Sequence, residues 1–301
     1  MPFAGEAVCL SAALLWAVAV AVFRGAVLEH SARTVNLAKL WLGAALQGLT
    51  VLALGQAQVL GAASGRALVL LALSGLIGLT LGDTALFGSV ARIGVHRALL
   101  LQTLAPVFAA VFAWAWRNSL PSGLETLGAA VILCGVALVV APRRGGPIPG
   151  AAARASTPVV AGLALGVLAA FGQGTGVVLA KEGMTEITFV PASFLRLATA
   201  AVGLALCEAA RLRLHRLAHL LVAPIMLSRV VPATLLGTYV ALFLMMLGIA
   251  LVPAAVSATL LATSPVFGLL IDTFVYRQPL TARGVVGTLL AVVGVAVLSQ
   301  G

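Results

Sequence analysis

Charge is what this sequence has least of. Only 9% of its 301 residues are Asp, Glu, Lys or Arg, while 62% are apolar. A soluble domain needs about a quarter of its residues charged to keep its surface in water, so a soluble fold is excluded and lipid is the expected solvent. Cysteine is nearly absent too. Cys9, Cys134 and Cys207 all sit in apolar runs without paired spacing, which excludes a disulfide framework and a cysteine metal site. Also missing are the roughly ten-residue alternating segments of a membrane β-barrel. No basic n-region precedes the first apolar run, because the chain opens Met1-Pro2-Phe3-Ala4-Gly5-Glu6; a retained span is expected there, not a cleaved signal.

What is present is a mean hydropathy of +1.16, carried by long apolar runs between short polar breaks. A run of about 20 residues crosses the hydrocarbon as a helix that satisfies its own backbone. Ten such spans are expected, at about 4–28, 35–54, 67–91, 94–116, 124–140, 159–181, 190–210, 229–250, 254–276 and 281–300. The segment 220–226 is too short to cross. Between the fifth and sixth runs, 142–158 is dense in Pro, Gly and Arg, beginning Pro142-Arg143-Arg144-Gly145-Gly146-Pro147. Such a sequence cannot continue a helix and reads as a linker. The domains expected are therefore 1–141, the linker 142–158, and 159–301.

The two halves repeat one another. Pro106-Val107-Phe108 returns as Pro265-Val266-Phe267, Gly128 as Gly287, and Gly135-Val136-Ala137 as Gly294-Val295-Ala296, all 159 positions on. Earlier residues match at an offset of 157, with Arg24 on Lys181 and Lys39 on Arg196. Five spans per half is an odd number, so the second copy must cross the membrane the other way up. The fold class expected is an all-α membrane protein of about ten transmembrane helices, arranged as two inverted five-helix repeats; such repeats supply the two related states of alternating access.

On the residues Leu104-Ala105-Pro106-Val107-Phe108, Leu127-Gly128 and Cys134-Gly135-Val136, their copies Thr263-Ser264-Pro265-Val266-Phe267, Val286-Gly287 and Val293-Gly294-Val295, and Phe194-Leu195-Arg196-Leu197, the chain resembles ten-span, EamA-type members of the drug/metabolite transporter superfamily. The resemblance implies secondary transport of a small amino acid-like or drug-like metabolite, by export or exchange, in the plasma (inner) membrane. It implies a cavity lined mainly by the first, third, fourth, sixth, eighth and ninth spans. It implies no enzyme activity and no cofactor, metal or nucleic-acid partner. The chain departs from the family after the fourth and ninth spans, where a glutamate is usual and Trp116-Arg117-Asn118 and Tyr276-Arg277-Gln278 stand instead. A structural membrane protein or an intramembrane enzyme is the alternative; no cluster of acids, histidines or activated serine is visible in adjacent spans.

Ionisable residues inside spans are costly and are functional candidates by default. Asp83, in Gly82-Asp83-Thr84, is a candidate for proton coupling or for binding a substrate amine; equally, it pairs with Lys39 or Arg97 and fixes helix packing. Lys39 and Arg196 either bind an anionic group or snorkel to the interface. Asp272 is expected to pair with Arg277, and His96 to lie at the membrane interface. Trp16, Gln102, Gln173, Thr175 and Tyr239 are neutral cavity candidates. Pro106 and Pro265 are expected kinks and hinges, with Pro106 freeing the Gln102 carbonyl. The glycines 128, 135, 287 and 294 form a close-approach seam, and Gly172 to Gly176 reads as a flexible helix and not a phosphate loop.

The basic residues lie in the breaks and read as topology determinants, not as a nucleic-acid patch, despite a formal charge of +10. Breaks after odd-numbered spans hold Arg33, Arg92, Arg97, Arg143, Arg144, Arg154, Arg211, Arg213, Arg216, Arg229, Arg277 and Arg283, against Arg66, Arg117 and Lys181 on the other side. The positive-inside rule then places both termini outside, whereas the resemblance implies both inside. A reporter active only in the cytoplasm, fused after Gly301, is expected to be silent if charge decides the orientation.

Overall fold

In a computed structural model the residues described are 4–117, 122–140, 159–252 and 254–300. Among them every regular element is helical. Eight helices among the described residues are long and apolar enough to cross a membrane, α1 (Ala4–Glu29), α2 (Ala32–Ala53), α3 (Gly65–Ile93), α4 (Val95–Phe112), α5 (Gly123–Val140), α6 (Val159–Gly183), α7 (Phe189–Ala210) and α8 (Met226–Met245), and two shorter apolar helices follow, α9 (Ala258–Phe274) and α10 (Ala282–Leu298). The eighth span begins three residues before the expected Arg229. The segment 220–226 is divided: a short helix, His215–Val222, docks Leu220 into a core shared with Phe23, Val35 and Val230, and α8 starts at Met226. The linker 142–158 lies outside the described residues.

The helix packing is itself duplicated. If α1 to α5 correspond to α6 to α10, then α1 against α8 matches α6 against α3, and α1 against α9 matches α6 against α4; both pairs of contacts are present, as are the self-matching pairs α2 with α7, α4 with α9 and α5 with α10. Faces agree with ten crossings. Arg33, in the first turn of α2, lies by Glu208 at the end of α7. On the opposite face the Ser64 hydroxyl and N–H donate to Glu186, at 2.9 and 3.0 Å, and with Arg66 hold its carboxyl below the usual range.

Local signals explain the helix ends. Ser122 and Glu125 cap α5 reciprocally, the Ser122 N–H donating to the carboxylate at 2.7 Å and Ser122 Oγ accepting from the Glu125 N–H at 3.1 Å. Thr281, the copy of Ser122, caps α10 by accepting from the Gly284 N–H at 3.1 Å. Between α3 and α4 only Gly94 is non-helical, at φ 87°. This one-residue reversal needs a conformation that side chains with a Cβ seldom adopt.

Irregular backbone is duplicated as well, and this was not read from the sequence. A π-helical stretch interrupts α3 at Gly75–Gly82, and another interrupts α8 at Thr234–Val240, 159 positions later. The proline kinks are full breaks. A turn at Thr103-Leu104 separates Val95–Gln102 from Ala105–Arg117, and its copy at Ala262-Thr263 precedes Ser264–Phe274. Each proline thus stands in the first turn of a new helix, where its missing N–H costs nothing. Carbonyls exposed at the breaks are taken by neighbours, Thr103 Oγ1 donating to Leu100 O at 2.7 Å and Thr263 Oγ1 to Leu260 O at 2.6 Å.

The glycine seam joins α5 to α10 within one chain. A Cβ on Gly135 would lie 2.6 Å from the Gly287 carbonyl oxygen and 2.7 Å from the Ala291 nitrogen. A Cβ on Gly294 would lie 2.6 Å from the Ile132 nitrogen. Small residues here let two backbones touch. Gly135→Ala is expected to destabilise the protein by about 1–3 kcal/mol through overpacking, read as a lower thermal midpoint in detergent. Gly123→Ala, whose Cβ meets open space on the same helix, should leave the midpoint within about a degree.

Candidate functional site

A cavity of ≈ 310 Å³ lies at the interface of the repeats. It is lined from α1, α3, α4, α6, α8 and α9, as the family resemblance implies, and in addition from α2 through Lys39 and α7 through Ser193, Arg196 and Leu197. No residue of α5 or α10 lines it. On the side carrying most arginines, α1 is tied to the end of α9: the Arg24 guanidinium stacks 4.1 Å from the Tyr276 ring centroid, and the Tyr276 hydroxyl donates to Ala21 O at 2.9 Å.

The chemistry of the cavity is centred on Asp83, which is 1% exposed and directly follows the π stretch of α3. Lys39 donates to Asp83 Oδ2 as a buried ion pair, and Gln173 Nε2 donates to Oδ1 at 2.7 Å. Lys39 does not snorkel; it is 2% exposed, because its place a third of the way along α2 aims the stem inward at the carboxylate. Of the two partners expected for Asp83, the structure has Lys39. Beside this pair Asn36 Nδ2 donates to Leu79 O and to Thr84 Oγ1, both at 2.9 Å, bracing the π stretch from α2.

Arg196 also turns inward, so that both repeat-related basic residues reach the cavity. Its guanidinium passes close to Gly78. Among the described residues Arg196 forms no ion pair, and its buried Nε has no hydrogen-bond partner. Gln102 Oε1 and Thr238 Oγ1, two more lining groups, are likewise buried without partners. Counting Lys39 and Arg196 against Asp83, the cavity carries one net positive charge.

Trp16, Lys39, Asp83, Gln102, Gln173 and Arg196 therefore meet in one place. Two candidates do not. Tyr239 lies outside the lining, hydrogen-bonded to Thr50 Oγ1 at 2.8 Å and stacked edgewise on Phe243. One residue on a helix is a turn of about 100°, and Thr238 takes the inward position. Thr175 is buried on another face of α6, outside the lining, with its hydroxyl unpaired. The glycines around it make a packing cross and not a flexible helix. A Cβ on Gly172 would lie 2.9 Å from Gly82 Cα, and one on Gly176 2.9 Å from Gly78 Cα. Ser193, Thr238 and Ser264 also line the cavity, and sequence reasoning missed them; small polar residues within spans are too common to single out, although Ser264 directly precedes the repeated Pro265.

Asp272 departs from expectation, and His96 is its partner. His96, at the start of α4, is 6% exposed and held by α9: Asp272 Oδ2 accepts its backbone N–H at 3.1 Å and its Nδ1 lies 3.2 Å from Pro265 O. Asp272, set electrostatically between Arg24 and Arg97 and not paired with Arg277, thus caps α4 from α9. Among the described residues no group of His, Cys, Asp and Glu is placed to hold a metal.

A cavity between two inverted helical repeats, largely apolar but holding a buried ion pair and a guanidinium and walled by broken helices, is the architecture of a membrane transporter. The chain belongs to the EamA-like transporter family, whose sequence model matches it twice, over residues 3–141 and 160–300. No curated protein matches. Among solved structures, one crystal structure titled only as that of a protein aligns over 99% of this chain and 96% of its own with a TM-score of 0.62. At 20% identity that likeness concerns the fold alone.

Removing one member of a buried ion pair strands the other charge, at a cost of about 3–5 kcal/mol. Lys39→Met is therefore expected to lower the thermal midpoint in detergent sharply. Lys39→Met combined with Asp83→Leu should recover most of that loss.

Proposed function

We propose that the protein is a secondary transporter that exports or exchanges a small amino acid-like metabolite across the plasma membrane by alternating access. The observation that carries this reading is the set of unsatisfied groups around the cavity: Arg196 with no carboxylate in ion-pair contact and its Nε unbonded, and Gln102 Oε1 and Thr238 Oγ1 without partners. A guanidinium is suited to a carboxylate, which it can grip with two parallel hydrogen bonds. Asp83 and Gln102 Oε1 offer acceptors to an ammonium group. A cavity of ≈ 310 Å³ suits a solute of that size, at the small end of ligand sites.

In this reading Asp83 also carries the coupling proton. Protonating it dissolves the ion pair and leaves Lys39 as an uncompensated buried cation, so that the cavity's preference for an anionic group changes with the protonation state. The breaks at Pro106 and Pro265 serve as the hinges about which the halves 1–141 and 159–301 rearrange. The apolar part of the lining, with Trp16 and Met245, tolerates a hydrophobic side chain on the solute.

Proteoliposomes should be tested with amino acids, sugars and cationic drugs, with and without a pH gradient. Solutes bearing both carboxylate and ammonium are expected to be transported or to compete. Arg196→Gln should weaken their apparent affinity by about 10- to 100-fold, the worth of a charge-assisted contact. Equal transport of carboxylates by this variant removes Arg196 from the site. Asp83→Asn should abolish the response to a pH gradient; an unaltered response removes Asp83 from coupling.

A further inference from the structure

A second cavity, larger than the first at ≈ 710 Å³, lies where the ends of α1, α2, α3, α6 and α7 converge on the arginine-bearing face. Arg33, Arg92, Arg211, Arg213 and Arg216 line it, with Glu208 as the one acid among the lining residues. Glu208 is buried, and its nearest basic atom, Arg33 Nε at 3.9 Å, is too far for a hydrogen bond. Arg92 is anchored by donation to Gly88 O at 2.8 Å, while Arg211, Arg213 and Arg216 are exposed. Five positive charges against one negative leave this cleft strongly cationic.

Arginines that only orient a chain in the membrane need no cavity beneath them. These arginines top a cleft that continues downward along apolar side chains to Thr80 and Leu81. Leu81 is twelve residues before the end of α3, a depth of about 18 Å. Leu28 and Leu81, on its wall, remain 39% and 42% exposed, and Leu165 and Leu204 complete the apolar side. A cationic mouth over an apolar shaft matches an amphiphile with an anionic head. We propose that this cleft binds one anionic phospholipid, its phosphate among the arginines and an acyl chain along Leu28, Leu81, Leu165 and Leu204. A soluble phosphate ester would use the mouth and leave the shaft empty. The opposite wall of the cleft includes Thr84, whose hydroxyl accepts from Asn36 beside the Lys39–Asp83 pair, so an occupant touches the brace of the transport site.

Cys207 lines the cleft and is exposed, whereas Cys9 is buried. In a Cys134→Ser background it is the accessible thiol, and its rate of maleimide labelling reports occupancy. In nanodiscs, replacing phosphatidylcholine with phosphatidylglycerol is expected to slow labelling about tenfold. Arg213→Gln with Arg216→Gln should return the rate to the phosphatidylcholine value, and Arg66→Gln, on the other face, should keep the protection. Millimolar glycerol phosphate over phosphatidylcholine nanodiscs should protect little. Equal labelling in the two lipids overturns the proposal, as does protection that survives loss of both arginines. Protection by glycerol phosphate as strong as by phosphatidylglycerol assigns the cleft to a soluble ester and overturns the lipid. The comparison of lipids uses intact arginines, so it stands even if the double variant folds poorly.

Discussion

A backbone amide or carbonyl left unpaired in hydrocarbon costs several kcal/mol, and this constraint governs where the chain departs from regular helix. Its departures lie in α3, α4, α8 and α9, all of which line the transport cavity. There side chains act as substitute donors to backbone carbonyls. Asn36 serves Leu79 O, Thr103 serves Leu100 O, Thr234 Oγ1 reaches Val230 O at 2.7 Å, and Thr263 serves Leu260 O. The polar side chains inside the spans thus have a structural task as well as a chemical one. They permit irregular backbone at mid-membrane, and irregular backbone makes room for a site.

The charges follow the same logic on two levels. In the transport cavity Lys39 and Asp83 neutralise each other and Gln173 donates to the second carboxylate oxygen, leaving Arg196 to set the electrical character of the space. On the arginine-bearing face, Tyr276, Arg24, His96 and Asp272 tie α1, α4 and α9 together. Tyr276 opens the turn after α9, Tyr276-Arg277-Gln278, in which the resemblance implies a glutamate. Its ring accepts a cation's stack and its hydroxyl finds a backbone carbonyl.

Much of this was legible in the sequence. The spans, their pairing into inverted halves and the proline breaks followed from hydropathy and from an internal repeat, because hydrocarbon thickness and backbone pairing leave a helix few options. Six of the eight residues chosen for the cavity meet there, since an ionisable or amide group inside a span has few tolerable places except the protein interior. That Tyr239 and Thr175 lie outside the lining was not legible, because periodicity assigns a residue to a span and not to a side of it, and the π stretches shift the phase midway. For Lys39 the sequence left snorkelling and an inward aim both open, since its place near the start of a span allows either; the pair with Asp83, 44 positions away, decides it. Nothing in Gly75–Gly82 or Thr234–Val240 marks them as π-helical: the two segments share little sequence, and their common geometry lies in the packing around them.

That geometry has a rotational consequence. A π turn takes in about one residue more than an α turn, and one residue corresponds to about 100° about a helix axis. Asp83 comes just after the inserted turn, so its aim at Lys39 is set by a count of residues and not by its own rotamer. Shortening Gly75–Gly82 by one residue would re-phase the rest of α3, carrying Asp83 off the cavity and swinging Arg92 away from the arginine cleft in the same motion. The two sites, though chemically separate, share a single angular setting.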